Sequence, residues 1–167
     1  MFDSEIRDLA ERVLAACRER QIMLVTAESC TGGLIAGALT AIPGSSDVVD
    51  RGFVTYSYSA KTDLLGVPEA MIVERGTVSA EVARAMVDGA LGGRNDRLAV
   101  AVTGVAGPGS DSQEKPAGLV HIAVGDRGRL LHREKRYGDI GREKVRRETV
   151  ADALRLILEW SGDTAFA

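Results

Sequence analysis

A short polar segment between two apolar runs constrains the fold of this chain more than any other stretch. The apolar run 22–25 predicts a buried strand, and the next apolar run belongs to a predicted helix over about 30–41. The segment between the runs, 26–33, therefore places Ser29 and Thr31 where a strand ends and a helix begins. Unpaired backbone N–H groups at such a helix start can hold a phosphate or an oxyanion. A hydroxyl at this point is a candidate nucleophile, or it simply caps the helix.

The remainder of the chain alternates helical and strand patterns. Apolar residues at helical spacing predict further helices over 4–20, 60–65, 68–75, 79–91 and 141–160. Apolar runs predict strands over 22–27, 51–57, 98–103, 119–124 and 130–137. Ser4 and Ser79 are the expected N-caps of their helices. Because helices alternate with strands early and a hairpin comes late, we expect one α/β domain over 1–167. We expect this domain to have three layers (α/β/α), with a mixed sheet of about five strands in the middle.

Two polar segments follow the ends of apolar strands, one at Ser29 and one at Thr103 and Gly104. Ligands in α/β sheets bind beyond the carboxyl ends of the strands, so the two segments can meet at one edge. The second segment opens a long glycine-rich loop over 104–118. Its glycines allow a backbone to approach a ligand closely, or the loop is an exposed one without a ligand. It matches neither the Walker A pattern nor a dinucleotide fingerprint.

Charge and hydropathy exclude several classes of partner. The net charge of −3 argues against general nucleic-acid binding. No apolar run approaches the ~20 residues that span a membrane, and the first residues lack signal-peptide character. We therefore expect a cytoplasmic protein with neither nucleic acid nor a membrane as partner.

Cysteine and histidine usage shows no metal-binding pattern and bears on the choice of nucleophile. The chain has two cysteines and two histidines, in no metal-ligand pattern. Cys17 falls on the apolar face of the first predicted helix and is expected in the core. Cys30 lies beside Ser29 and is a rival nucleophile, although no histidine lies nearby in sequence to act as its base.

Basic residues concentrate in one late segment. Residues 126–147 contain nine Lys or Arg and four acids, which leaves them at +5 while the rest of the chain carries −8. Arg142 and Arg146 lie four apart on the last predicted helix and therefore share a face. The pair suits a phosphate, which arginine can hold by two parallel hydrogen bonds. Ion pairs with Glu143 or Glu148 on a solvated face remain an equally simple interpretation.

Four segments resemble, in order, the motifs of the CinA carboxy-terminal domain family. They are TAESCTGG at 26–33, GFVTYS and AK within 52–61, TGVAGPG and KPAG within 103–118, and GDIGR and VR within 138–146. The resemblance covers roughly residues 4–160, and four ordered motifs are far more specific than one glycine-rich loop. It implies hydrolysis of nicotinamide mononucleotide to nicotinate mononucleotide and ammonia, in pyridine-nucleotide recycling. The hydrolysis implied by this resemblance requires no metal or organic cofactor.

The resemblance also implies roles for individual residues. Ser29 becomes the nucleophile, Lys61 its base and Tyr56 a helper of that base, a Ser-Lys variant of hydroxyl activation. A lysine acts as a base only if burial or a neighbouring cation lowers its pKa. Without the resemblance, the simpler interpretation is that Lys61 is a surface lysine and Tyr56 a half-buried strand residue. The residues expected to bind the substrate are Cys30, Thr31, Gly32, Gly33, Thr103, Gly104, Arg142 and Arg146.

The second motif departs from the family pattern at two positions. Family members usually carry Asn-Glu where this chain has Tyr58 and Ser59, so activity is altered if that carboxylate tunes the lysine. Two alternatives to the leading function stay open. One is an amidase for another nucleotide-like amide, and the other is a non-catalytic module that binds a nucleotide or a protein. Apolar helices on a small three-layer domain lead us to expect a homo-oligomer.

Overall fold

One five-stranded mixed sheet forms the centre of the protein. The computed structural model describes residues 1–163, so the last four residues of the expected domain 1–167 lie outside the described residues. The strands are β1 (Met23–Glu28), β2 (Val49–Val54), β3 (Arg97–Gly104), β4 (Leu119–Gly125) and β5 (Leu130–Arg136). Their order in the sheet is β2-β1-β3-β4-β5. Strands β2, β1 and β3 are parallel, whereas β4 and β5 are antiparallel additions, so the predicted mixed sheet is confirmed.

Helices cover both faces of the sheet. They are α1 (Ser4–Glu19), α2 (Leu34–Thr40), α3 (Tyr58–Leu65), α4 (Glu69–Arg75), α5 (Ala80–Leu91) and α6 (Arg142–Trp160). Helices α1, α2 and α6 pack on one face, and α5 packs on the other with α3 and α4 against it. The expected α/β/α layering is therefore confirmed.

The central strand β3 shows why the sheet is buried on both faces. Leu98, Val100 and Val102 belong to the core cluster under α1, α2 and α6. Ala99 and Ala101 belong to the cluster under α5. Successive side chains of a strand point to opposite faces, so a continuous apolar run fits a strand covered on both sides.

One predicted helix cap and one predicted strand end are wrong in this part of the fold. Helix α1 is capped by Asp3, not by Ser4, because the Asp3 carboxylate accepts the N–H of Ile6 at 3.0 Å. The second strand ends at Val54, before the predicted 57, because residue 57 already caps the next helix, which begins at Tyr58. Ser57 is its N-cap and accepts the N–H of Ala60 at 3.1 Å. Tyr56 consequently lies in the connection after β2 and is 58% exposed.

Gly89 marks a close approach between α5 and the end of α3. A Cβ at this position would lie 1.9 Å from the carbonyl oxygen of Leu65, a backbone atom. We expect Gly89→Ala to lower the free energy of unfolding by roughly 1–3 kcal/mol, since the helices must move apart. The matched control is Gly37→Ala in α2, where the added methyl meets Phe2 at 3.5 Å. It should raise the free energy of unfolding by about 0.5–1 kcal/mol. Urea unfolding measures both, and equal stability of the two variants would contradict this packing.

Candidate active site

A buried lysine contacts the hydroxyl of Ser29 across 32 positions of sequence. Lys61 Nζ donates to Ser29 Oγ at 3.1 Å and to the carbonyl oxygen of Thr55 at 2.7 Å. Lys61 is 1% exposed, and within residues 1–163 no carboxylate forms a salt bridge with it. Burial lowers the pKa of Lys61 to about 8, since desolvation disfavours the charged amine. A share of the amine is therefore neutral near pH 7–8 and able to accept a proton.

The parallel strands bring the members of this pair together. Ser29 follows β1 directly, and its N–H donates to the carbonyl oxygen of Val102 in β3 at 3.1 Å. Thr55 follows β2, and its N–H donates to the carbonyl oxygen of Glu28 at 2.8 Å. Lys61 comes from the second turn of α3 and reaches back to both strand ends. The site thus lies at the carboxyl edge of the sheet, as the strand pattern predicts.

Glu28 is a structural residue of this site that the sequence analysis did not single out. The residue is fully buried. Its carboxylate accepts hydrogen bonds from Thr31 Oγ1 at 2.6 Å and from the N–H groups of Gly33 at 3.1 Å, Ile35 at 3.0 Å and Ala36 at 2.8 Å. A carboxylate from the chain itself therefore occupies the N-terminus of α2. The available signal was an acidic residue at the end of a buried strand, just before a helix.

The start of α2 differs from the prediction in a way that matters for ligand binding. The helix begins at Leu34, not near 30, with Gly33 at the N-cap position and in a left-handed conformation. Neither Ser29 nor Thr31 supplies the cap. Because Glu28 already takes the helical N–H groups, the helix start is not open to a phosphate or an oxyanion.

A cavity of about 340 Å³ opens in front of the Ser29–Lys61 pair. The predicted site residues that line it are Ser29, Cys30, Tyr56, Lys61, Thr103, Gly104 and Arg142. Thr77, Val78 and the glycine-rich loop as far as Asp111 complete its wall. Four predicted residues, Thr31, Gly32, Gly33 and Arg146, lie outside the lining. The structure therefore gathers the Ser29 segment, the lysine and the loop after β3 around one space.

Tyr56 and Arg142 meet at the rim of this cavity. Arg142 Nη2 donates to the hydroxyl of Tyr56 at 2.5 Å, and Nη1 donates to the carbonyl oxygen of Gly107 at 2.8 Å. In the described part of the chain, the Tyr56 hydroxyl bonds to Arg142 and not to Ser29 or Lys61. The guanidinium thus joins the connection after β2 to the glycine-rich loop.

Arg146 lies behind the Ser29 segment. Its Nε donates to the carbonyl oxygen of Cys30 and its Nη2 to that of Thr31, both at 3.1 Å. Ion pairs of Arg142 or Arg146 with Glu143 or Glu148, the other interpretation of these arginines, do not occur among residues 1–163. The two arginines share a face of α6, but they serve different parts of the site.

Thr103 and Gly104 line the cavity, and each is also required by the structure around it. The Thr103 hydroxyl donates to the carbonyl oxygen of Thr77 at 2.7 Å, so its proton is already engaged. A Cβ on Gly104 would lie 2.6 Å from a methyl of Val120 and 2.9 Å from the carbonyl oxygen of Leu119. Close packing of β3 against β4 therefore requires a glycine here, whether or not a ligand approaches.

The thiol of Cys30 is a poor rival for Ser29. Cys30 is 4% exposed and belongs to the core cluster under α1, α2 and α6. Burial raises the pKa of this thiol to about 12, so the nucleophilic thiolate is scarce near neutral pH.

Across residues 1–163 no cluster of three or more His, Cys, Asp or Glu side chains could hold a metal ion. Nor does this part of the chain contain a helix long and apolar enough to cross a membrane.

The fold and the sequence place this protein in a known family. The chain belongs to the CinA C-terminal domain family, whose family model matches residues 6–160. A nicotinamide-nucleotide amidohydrolase, PncC of Pseudomonas putida, is 49% identical over 154 residues, which cover 92% of this chain and 96% of that protein. The competence/damage inducible protein CihA of Agrobacterium tumefaciens has a similar structure. Its TM-score is 0.91 at 52% identity, and the match covers 95% of this chain and 97% of that one.

Other relatives are considerably longer. A CinA-like protein of Synechococcus sp. (strain RCC307) is 48% identical over 157 residues, which cover 93% of this chain but 38% of that protein. A putative competence-damage inducible protein of Caldicellulosiruptor bescii is 44% identical over 150 residues, or 36% of its length. The chain thus spans little more than a third of these curated relatives.

Proposed function

We propose that this protein is an amidohydrolase that converts nicotinamide mononucleotide to nicotinate mononucleotide and ammonia. The observation that carries the proposal is the 3.1 Å hydrogen bond between Lys61 Nζ and Ser29 Oγ at the base of a cavity. The pKa of this lysine is lowered to about 8, which suits a general base near neutral pH. Similarity over nearly the full length of a nicotinamide-nucleotide amidohydrolase supports the choice of substrate.

The proposed reaction proceeds in two stages. Neutral Lys61 takes the proton of Ser29 as Oγ attacks the carboxamide carbon, and a tetrahedral intermediate forms. The lysine ammonium then gives its proton to the leaving nitrogen, which departs as ammonia and leaves an ester on Ser29. Water, deprotonated by Lys61, attacks the ester, and the proton returns to Ser29 as nicotinate mononucleotide leaves. These steps use no metal or organic cofactor.

The cavity offers one guanidinium for the phosphate of such a substrate. Arg142 lines the same cavity as the Ser29–Lys61 pair, and its partners are a neutral hydroxyl and a carbonyl. We expect Arg142→Ala to raise KM about tenfold with little change in kcat, because a remote phosphate contact stabilises ground and transition states alike. Steady-state kinetics with Lys144→Ala as the control test this. A loss confined to kcat would assign Arg142 to the chemical step instead.

The pH dependence of activity follows from the state of Lys61. The base must be neutral, and its pKa is lowered to about 8, so kcat/KM should rise through pH 7–8 and level off above about pH 9. In the unfolded chain the amine has its ordinary, higher pKa, so the ascending limb requires the folded site. A profile of kcat/KM between pH 6 and 10 measures the limb. Activity that is flat across this interval would exclude Lys61 as the base.

The direct test of the proposed function is ammonia release from nicotinamide mononucleotide by the purified protein, with Ser29→Ala as control. Release by the wild type alone is the expected result. Release from a different nucleotide-like amide would keep the chemistry and change the substrate. Binding of the nucleotide with no release would favour a non-catalytic binding module. A cytoplasmic role in pyridine-nucleotide recycling and a homo-oligomeric state are further parts of this proposal.

A further inference from the structure

Hydrogen bonds to the carbonyl oxygens of Ser29 and Cys30 fix the two peptide groups that join Ser29 to Cys30 and Cys30 to Thr31. The carbonyl oxygen of Ser29 accepts the N–H of Gly32 at 3.0 Å. The carbonyl oxygen of Cys30 accepts Nε of Arg146 at 3.1 Å. The C=O and N–H of a trans peptide group point in opposite directions. These bonds therefore also set the directions of the Cys30 N–H and the Thr31 N–H, away from Gly32 and Arg146 respectively.

The same two N–H groups are the available donors beside the nucleophile. Within residues 1–163, the N–H groups of Cys30 and Thr31 donate to no backbone carbonyl, whereas those of Gly33, Ile35 and Ala36 donate to the Glu28 carboxylate. Cys30 also lines the cavity, although its thiol packs in the core. N–H groups directly after a nucleophile are well placed to stabilise the oxyanion that its attack creates.

We propose that Arg146 is a positioning residue: its hydrogen bonds to the carbonyl oxygens of Cys30 and Thr31 hold the turn after Ser29 in the conformation that directs the N–H of Cys30 at the oxyanion. This inference rests on the proposed amide hydrolysis at Ser29. From α6, the guanidinium donates hydrogen bonds to two successive carbonyl oxygens, and Arg146 does not line the cavity in front of Ser29. Gly32 fits this arrangement, because a Cβ there would lie 3.4 Å from Nη2 of Arg146, at a left-handed φ of +60°. Arg146 touches no substrate atom in this proposal.

Substitutions of Arg146 separate positioning from phosphate binding. The oxyanion exists only in the transition state and intermediates. Arg146→Ala should therefore lower kcat about 10- to 100-fold and leave KM within about twofold. In Arg146→Lys a single ammonium replaces the planar fork and cannot hold both carbonyls in the same geometry. We expect this variant to fold normally and to lose at least about fivefold in kcat, so it carries the test if Arg146→Ala fails to fold. Lys144→Ala, two residues earlier in α6 and exposed, is the matched control.

A second readout does not depend on the identity of the natural substrate. A small alkyl fluorophosphonate phosphonylates a reactive serine. The Ser29 Oγ–P bond forms, fluoride leaves, and the serine proton passes to Lys61. The phosphoryl oxygen then occupies the oxyanion position, so the labelling rate of Arg146→Ala and Arg146→Lys should fall by factors similar to those in kcat. Mass spectrometry of the Ser29 peptide measures this rate, and Ser29→Ala should not be labelled there.

The outcomes distinguish this proposal from the proposed function. If the wild type is labelled at Ser29 but releases no ammonia from nicotinamide mononucleotide, the substrate is wrong, and the labelling rates still decide the role of Arg146. Wild-type labelling rates in both Arg146 variants would overturn the positioning role. So would a raised KM with unchanged kcat, which would indicate a phosphate contact. Absence of labelling at Ser29 in the wild type overturns the proposal together with the Ser-Lys mechanism.

Discussion

Ser29→Ala and Lys61→Met should each reduce ammonia release from nicotinamide mononucleotide by about 10³-fold or more. The first variant removes the attacking oxygen, and the second removes the amine that lies 3.1 Å from it. The double variant should be little worse than either single one, because nucleophile and base act as one unit. Lys61→Met should also raise the melting temperature, since it replaces a buried amine with an apolar side chain of similar length.

Stability and activity thus change in opposite directions at Lys61, which separates a catalytic loss from a folding defect. Lys144→Met and Ser59→Ala are matched controls, because both replace exposed residues of the same types. Both controls should keep wild-type kinetics. Wild-type turnover by Lys61→Met would remove the lysine from the mechanism, whatever its distance from Ser29.

Glu28→Ala should lower the free energy of unfolding by about 3 kcal/mol or more. The substitution removes the acceptor of four hydrogen bonds, two of them buried and two partly buried. It leaves the first N–H groups of α2 and the Thr31 hydroxyl without an acceptor. Because Ser29 follows Glu28 directly, we also expect activity to fall at temperatures where the variant is still folded.

Urea unfolding measures the effect of Glu28→Ala, and Glu11→Ala on the exposed side of α1 provides the control. The control should stay within about 0.5 kcal/mol of the wild type. A Glu28→Ala variant of wild-type stability would show that the carboxylate does not stabilise the start of α2.

At the two positions that depart from the family pattern, the structure shows which bonds the side chains form. Tyr58 and Ser59 lie in the first turn of α3, where the Tyr58 hydroxyl donates to the carbonyl oxygen of Glu69 at 3.3 Å. Ser59 Oγ lies 3.2 Å from Ser57 Oγ. Within residues 1–163 neither side chain forms a hydrogen bond with Lys61, and burial is the main cause of the lowered pKa of that lysine. In this chain, desolvation can tune the lysine without a carboxylate in the second motif.

The helices and strands were predictable because burial imposes local periods on the sequence. An apolar residue every three or four positions indicates a helix face, and a continuous apolar run such as 98–102 indicates a strand between two layers. Such signals extend over one element, so they located all five strands. They failed where individual hydrogen-bond partners decide the element's end: at the Asp3 cap of α1, and at the start of α2, where Glu28 accepts the first N–H groups.

The partners of the polar side chains depended on the tertiary structure. Arg142 and Arg146 are equivalent in helical spacing, yet one joins two loops at the cavity rim and the other bonds the turn behind Ser29. The sequence by itself determined the layers, the sheet edge and, through the family resemblance, the residues Ser29 and Lys61. Strand order and helix packing decide whether those two residues touch. They also decide which acceptor each polar side chain finds. The reason is that long polar side chains bond to residues far away in the sequence, and no local periodicity specifies such long-range contacts.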